Sequence, residues 1–345
     1  MARRLSVWGS TAAIFAGVVI AVPLAPIGAV AAAAGGATQP GSGCAPLTSL
    51  GAKSIPLSQG RAGTAVTFAA DAGLSVASVQ VPEGWSPLTA SDPDLESLGF
   101  PARPSVGPAL AEWQATYQNF KGNDPLVSNQ VCKGTRKHGQ IGTKPSGNYV
   151  GLEETNATYK QAYGTFALPA TNVLVCPSAS AAAFWVGTTD NSTIDQGGID
   201  LDPRNDTGYQ FWEELFPLNP YFSNNGNDMP WKAGQSVQVS ESYATDSGGH
   251  FTIQAYNKST GYIYSLSYTN ASSYYRSANA EFVSEKVAGY YERKFGTVSW
   301  SGAYVVTSDG VAHYPGSPSY WLYTAPFATQ GTPSGSSFAM TWKAC

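Results

Sequence analysis

Ser236-Val237-Gln238-Val239-Ser240 and, a little further on, Phe251-Thr252-Ile253-Gln254-Ala255 alternate apolar and polar side chains with a period of two. Successive side chains of a β-strand point to opposite faces, so the pattern predicts strands with one buried face. Ile263 and Leu266 are assigned to the same alternation beyond the turn at Ser259-Thr260-Gly261. From Asn148 to the C-terminus short runs of this kind recur, separated by Gly, Asn, Asp and Pro. Even strand spacing without helical periodicity predicts an all-β fold, an antiparallel sandwich or barrel. About 200 residues suffice to bury the core of one such domain.

Upstream the texture changes. Val66 and Phe68, then Val76, Val79 and Val81, flank the turn Asp71-Ala72-Gly73 and predict a hairpin. Ser91 is placed to cap a short helix that Gly99 stops. Pro108 can open a second helix that Gly122 ends, with Leu110, Trp113, Tyr117 and Phe120 on one apolar stripe. Residues 121–146 are polar and carry Lys133, Arg136, Lys137 and Lys144, the composition of an exposed, cleavable connector. Arg3 and Arg4, the apolar run from Ala12 to Val22 and the small residues Ala29-Val30-Ala31 match a secretory signal, too short and too interrupted by Pro23 and Pro26 to span a membrane. The expected organisation is a signal peptide over 1–34, a prosegment-like N-terminal region over 35–145 and a β-sandwich domain over 146–345. The product is expected to be a secreted, extracellular monomer with no membrane association once the signal is removed.

Composition narrows the function classes. Only 12% of the 345 residues are charged, while 19 Tyr and 9 Trp contribute to an aromatic share of 12%. That excludes a coiled coil, a charge-driven disordered chain and a helix-rich cytosolic enzyme. The formal net charge is −4 and no basic stretch could neutralise a row of phosphates, so no nucleic-acid partner is expected. Few basic groups also means little self-repulsion in acid. Export permits disulfides, and Cys44, Cys132, Cys176 and Cys345 allow three pairings. None has metal-ligand spacing and the three histidines lie far apart, so neither metal nor cofactor is expected.

The nucleophile elbow, the HExxH zinc motif, the P-loop and the dinucleotide fingerprint are all missing from the sequence. Polar groups lie instead inside strand-like runs: Phe184-Trp185-Val186-Gly187-Thr188-Thr189, Ile194-Asp195-Gln196-Gly197-Gly198-Ile199-Asp200, Tyr209 to Pro217, and Ala280-Glu281-Phe282-Val283-Ser284-Glu285. In a strand Glu281, Val283 and Glu285 share one face. A carboxylate in an apolar strand is costly unless paired, so it is either an ordinary hydrogen-bonded Glu or an acid/base whose pKa burial has raised.

These segments resemble, in the same order, the glutamic peptidases or eqolisins, over roughly residues 85–345. The similarity is carried by Trp185-Val186-Gly187, by Gln196-Gly197-Gly198-Ile199-Asp200, by Trp212-Glu213-Glu214-Leu215-Phe216-Pro217, and by Arg276 with Asn279 to Glu285. The resemblance implies two bent seven-stranded antiparallel sheets with a concave groove and a polypeptide substrate. It implies a catalytic pair, Gln196 and Glu285. Glu285 would take a proton from the attacking water and return it to the leaving amine, and the Gln196 amide would donate to the oxyanion. Glu214 matches a further family acid near the groove, Trp185 and Trp212 would form its walls, and Tyr149 stands where the family has Trp. Core packing is the other role open to the two tryptophans. Thr189 occupies a position where the family has Asp, with Asp190 one step late. The competing expectation is a non-catalytic sandwich that binds carbohydrate or peptide on Tyr-rich runs such as Tyr262, Tyr264 and Tyr268.

Overall fold

Period-two alternation folds into two antiparallel sheets laid face to face. The computed structural model describes residues 44–46, 53–56, 63–71, 74–123, 130–133, 147–170, 176, 180–190, 194–201, 208–216, 218, 220–223, 230–245, 249–269, 271, 277–287, 290–317, 320–323 and 325–345. The expected signal peptide, most of the basic connector and Arg276 lie outside these residues. The N-terminal part supplies β1 (Cys44–Pro46), β2 (Lys53–Pro56), β3 (Thr64–Asp71), β4 (Leu74–Gln80), α1 (Asp92–Ser97), α2 (Gly107–Tyr117), β5 (Gly122–Asn123) and β6 (Gln130–Lys133). Then follow β7 (Tyr149–Glu154), β8 (Tyr159–Ala167), β9 (Ser180–Thr189), β10 (Ile194–Leu201), β11 (Tyr209–Phe216), β12 (Tyr221–Ser223), β13 (Ser236–Ala244), β14 (His250–Asn257) and β15 (Tyr262–Thr269). The last elements are β16 (Asn279–Lys286), β17 (Tyr291–Glu292), β18 (Thr297–Thr307), β19 (Ala312–His313), β20 (Tyr320–Tyr323), β21 (Ala328–Gln330) and β22 (Phe338–Trp342).

Sheet A includes the run β12-β11-β10-β9-β16-β7-β20 and sheet B the run β15-β14-β13-β8-β18-β22-β21; the two antiparallel sheets are as the resemblance implied, but with ten and twelve strands in all they exceed the seven each expected. The N-terminal part extends both. β6 and then β1 add beyond β12, while β4, β3 and β2 add beyond β15. The short β17, β19 and β5 pair with β9, β18 and β15. Between the sheets lie Phe184 and Val186 of β9, Ile199 of β10, Phe211 of β11, Val237 and Val239 of β13, and Phe251 and Ile253 of β14. Each such side chain is worth about 1.5–3 kcal/mol when fully buried. Among the described residues no helix is long and apolar enough to cross a membrane.

The hairpin forms, with Asp71 opposite Leu74, and Ser91 caps α1 by accepting from the Asp94 N–H. Two expectations are corrected. Ile263 and Leu266 are three residues apart on β15, so they face opposite ways: Leu266 enters the inter-sheet core and Ile263 packs with Tyr117 and Tyr256. The second helix ends at Tyr117, not at Gly122. The chain leaves it because the Lys121 N–H bonds to the Gly261 carbonyl and β5 pairs with β15.

Asp195 of β10, Glu213 of β11 and Glu241 of β13 are carboxyl groups buried in the interior. Thr188 Oγ1 donates to Glu241 at 3.5 Å. Burial pushes the Asp195 carboxyl well above its usual range, partly offset by a hydrogen bond with Glu241. Burial also raises Glu213 and Glu241, and repulsion from Asp195 adds to both. Folded pKa values above the unfolded ones favour the neutral acids, so this stabilisation is complete below the unfolded value of about 4 and is lost as pH rises. The thermal midpoint is therefore expected to be highest in acid and to fall toward neutral pH. Asp195→Asn combined with Glu241→Gln should flatten that profile, measured by calorimetry from pH 3 to 8.

Cys176 is bonded to Cys345 across a separation of 169 residues, and strand register sets Cys44 opposite Cys132 on β1 and β6. Of the three pairings open in the sequence, the Cys176–Cys345 bond selects one. Cys345→Ser should cost about 2–4 kcal/mol, read from the urea midpoint.

Candidate active site

Alternation that sends Phe184 and Ile199 inward sends their neighbours to the other face of sheet A. Three rows cross that face. Glu214, Gln196, Gly187, Glu281 and Glu153 form the first. Trp212, Gly198, Trp185, Val283 and Gly151 form the second. Gln210, Asp200, Ala183, Glu285 and Tyr149 form the third. The middle row carries two large rings, Trp212 and Trp185, but has glycine where strands approach closely. A Cβ on Gly198 would lie 2.1 Å from the Phe184 carbonyl oxygen, and one on Gly151 would lie 1.9 Å from that of Phe282. No other residue fits at either place, because a side chain would collide with the backbone of the neighbouring strand.

Gln196 and Glu285 sit on the two strands that flank β9. Gln196 is opposite Gly187 and Glu285 opposite Ala183, so they are out of step along β9, and Trp185 occupies the position between them. The Trp185 indole N–H donates to Glu285 Oε2 at 2.9 Å. Gln196 Nε2 donates to Glu214 Oε2 at 3.0 Å. Tyr149 sets its ring edge-on to Trp185, 5.5 Å between centroids. Burial raises the Tyr149 hydroxyl far above its usual pKa, and the negative charges of Glu285, Glu281 and Glu214 add to this. Gln196, Glu214, Trp185, Trp212 and Glu285 all have 0% exposure in the full-length chain.

All six residues singled out in the sequence thus lie on one face. Glu285 is joined to Trp185, Gln196 to Glu214 and Tyr149 to Trp185. Trp212 and Trp185 belong to one apolar cluster with Tyr149, Ala183 and Val283, separate from the inter-sheet core. Thr189 ends β9 between Ile194 and Asn279, and Asp190 lies beyond the strand.

Other residues of the face carried weaker signals. Glu153 is level with Gln196 and Glu281, and the run Tyr149-Val150-Gly151-Leu152-Glu153 shows the alternation that puts it there. Asp200 is level with Glu285, its place set by the Gln-x-Gly-x-Asp spacing. Glu292 had no signal. It is fully buried on β17 opposite Ala181, and burial, then repulsion from Glu285, raises its carboxyl well above the usual range. The face is therefore a shielded, acid-rich surface with an amide and a carboxyl held in fixed orientations, the equipment for activating a water and stabilising an oxyanion.

Comparison with known proteins gives the same direction. The sequence matches no curated protein. A crystal structure of scytalido-glutamic peptidase with a transition state analog inhibitor is similar at 22% identity, covering 57% of this chain and 98% of that one, with a TM-score of 0.46. SCP-B, described as a member of the eqolisin family and solved with the tripeptide Ala-Ile-His, is similar at 20% identity, covering 57% of this chain and 98% of that one, with a TM-score of 0.44. Aspergilloglutamic peptidase from Aspergillus niger is similar at 22% identity, covering 48% of this chain and 99% of that one, with a TM-score of 0.38. Residues 147–342, well over half of the chain, match the profile of the Peptidase A4 family, and the chain therefore belongs to that family of glutamic peptidases.

Proposed function

We propose that the protein is a secreted endopeptidase that works in acid through Gln196 and Glu285, a finer statement than the family alone supplies. The observation that carries it is the placement of these two residues on one face of sheet A with Trp185 between them. The Trp185 N–H orients the Glu285 carboxyl group, which in this account takes a proton from the attacking water. As that proton transfers, the water oxygen bonds to the scissile carbonyl carbon and the carbonyl π electrons move to oxygen. One Gln196 N–H is held by Glu214 and the second is available to the oxyanion. Collapse of the intermediate re-forms the carbonyl and breaks the C–N bond, while Glu285 returns its proton to the departing amine. Glu214 is in this account a positioning residue that sets which way the Gln196 amide points.

Acid suits this arrangement because Asp195, Glu213, Glu241 and Glu292 all have raised pKa values and are accommodated most easily as neutral acids. The protein is in this reading made as a precursor that is cut in the basic connector within residues 121–146. Substrate groove walls formed by Trp185, Trp212 and Tyr149 complete the reading.

Denatured casein incubated with matured protein from pH 2 to 7 tests it. Cleavage is expected in the acid range and should be insensitive to pepstatin. Glu285→Gln should lower kcat by about 10²–10⁴-fold. Trp185→Phe should lower it by about 10–100-fold, the worth of one hydrogen bond to a charged acceptor. Folded, matured protein with no cleavage at any pH would favour a sandwich retained for binding, and cleavage that survives in Glu285→Gln would remove Glu285 from the mechanism.

A further inference from the structure

Residues 74–123 are built into the sandwich at three levels. At the backbone, β4 continues sheet B, with Val76 opposite Tyr268, Ala77 opposite Ser267 and Ser78 opposite Leu266, and β5 pairs with the start of β15. In the core, Leu74 and Val76 lie between the sheets among the residues that hold them together. Ala77, Val79, Leu95, Leu98, Phe100, Trp113 and Tyr117 build a second apolar cluster, to which the sandwich contributes Tyr256 and Ile263.

At the third level, polar side chains of sheet B are satisfied by this segment. Gln161 Nε2 donates to the Phe100 carbonyl at 3.1 Å, Gln254 Nε2 to that of Leu98, and His250 Nε2 lies 3.1 Å from that of Ser97. The Tyr117 hydroxyl donates to Gln238 Oε1 at 2.6 Å. Gly99, at φ +76°, meets β14 so closely that a Cβ would lie 2.6 Å from Thr252 Cγ2.

The direction of this packing matters. His250, Thr252 and Gln254 point away from the inter-sheet core, so α1 and the chain after it cover the outer face of sheet B. Gln196 and Glu285 are on the outer face of sheet A, on the other side of the core. Helices α1 and α2 therefore do not stand in the way of substrate. Departure of residues 74–123 as a whole would unpair the edge of β15 from β4 and β5 and take Leu74 and Val76 out of the main core.

We propose that residues 74–123 are a permanent structural part of the peptidase, held without a covalent link after the chain is cut in the connector that follows them, and not a released prosegment. A cut after Lys137 leaves Cys44 and Cys132 on one fragment, while Cys176 and Cys345 are bonded to each other on the second. Retention must then come from the interface.

The test does not depend on the catalytic assignment. A site for a sequence-specific protease is inserted after Lys137 in the full-length chain, in the Glu285→Gln background, and the protein is cut to completion. Size exclusion at pH 4 and pH 7 should give one species of uncut mass, which denaturing electrophoresis resolves into two polypeptides, with both separating in concentrated urea. The same experiment with Gly99→Val should release the N-terminal fragment at a lower urea concentration. Circular dichroism of the uncut Gly99→Val protein shows whether that variant folds, and Tyr117→Phe, which removes only the hydroxyl bond to Gln238, replaces it if it does not. Separation of the fragments under native conditions, with or without collapse of the sandwich, would overturn the proposal.

Discussion

Exclusion of water from carboxyl groups is the constraint around which the molecule is arranged. Among the described residues ten acidic side chains are buried: Glu153, Glu154, Asp195, Asp200, Glu213, Glu214, Glu241, Glu281, Glu285 and Glu292. Arg293 is the basic counterpart at comparable burial. An isolated ionised carboxylate in a protein interior costs several kcal/mol, whereas the neutral acid costs about as much as any hydroxyl-bearing group. Burial raises the carboxyls of Asp195, Glu213, Glu241 and Glu292, so for these four the neutral form is the one the fold accommodates best. The low content of charged residues, evident in the composition, is the surface half of the same arrangement.

Strand alternation then divides those acids between two compartments. Adjacent residues go opposite ways, so Asp195 enters the inter-sheet space while Gln196 reaches the outer face of sheet A, and Glu213 and Glu214 separate likewise. The two compartments share strands but are walled off by Phe184, Val186, Ile199 and Phe211. One group of acids, Asp195, Glu213 and Glu241, lies in the interior; the other lies on the face that carries Gln196 and Glu285. Because both sit on β10 and β11, a shift in one strand would disturb both.

Much of this was legible in the sequence, and the parts that were not share a cause. The sandwich, the hairpin, the α1 cap and the common face of Glu281, Val283 and Glu285 follow from short-range alternation and turn chemistry. The six candidate site residues lie on one face because each sits at a position of that alternation which the motifs define. Ile263 was misassigned because a spacing of three straddles the two faces of a strand. The end of α2 was misjudged because a long-range bond from Lys121 to Gly261 competes with helix propagation. Glu241 joins Asp195 from the facing sheet, and the N-terminal strands join the edges of sheets assembled far downstream. Inter-sheet contacts and edge pairings are tertiary choices with no local signature.

The bond between Cys176 and Cys345 has a consequence for a molecule that hydrolyses polypeptides among copies of itself. It ties the last residue of the chain to the segment between β8 and β9, enclosing all of β9 to β22 in one covalent ring. A single nick in any loop of that ring opens it without detaching anything. The two ends stay tethered, and the sheets they enter hold them in register. Damage of this kind would accumulate silently, as molecules of unchanged size and shape, until a second cut or a reductant freed a piece.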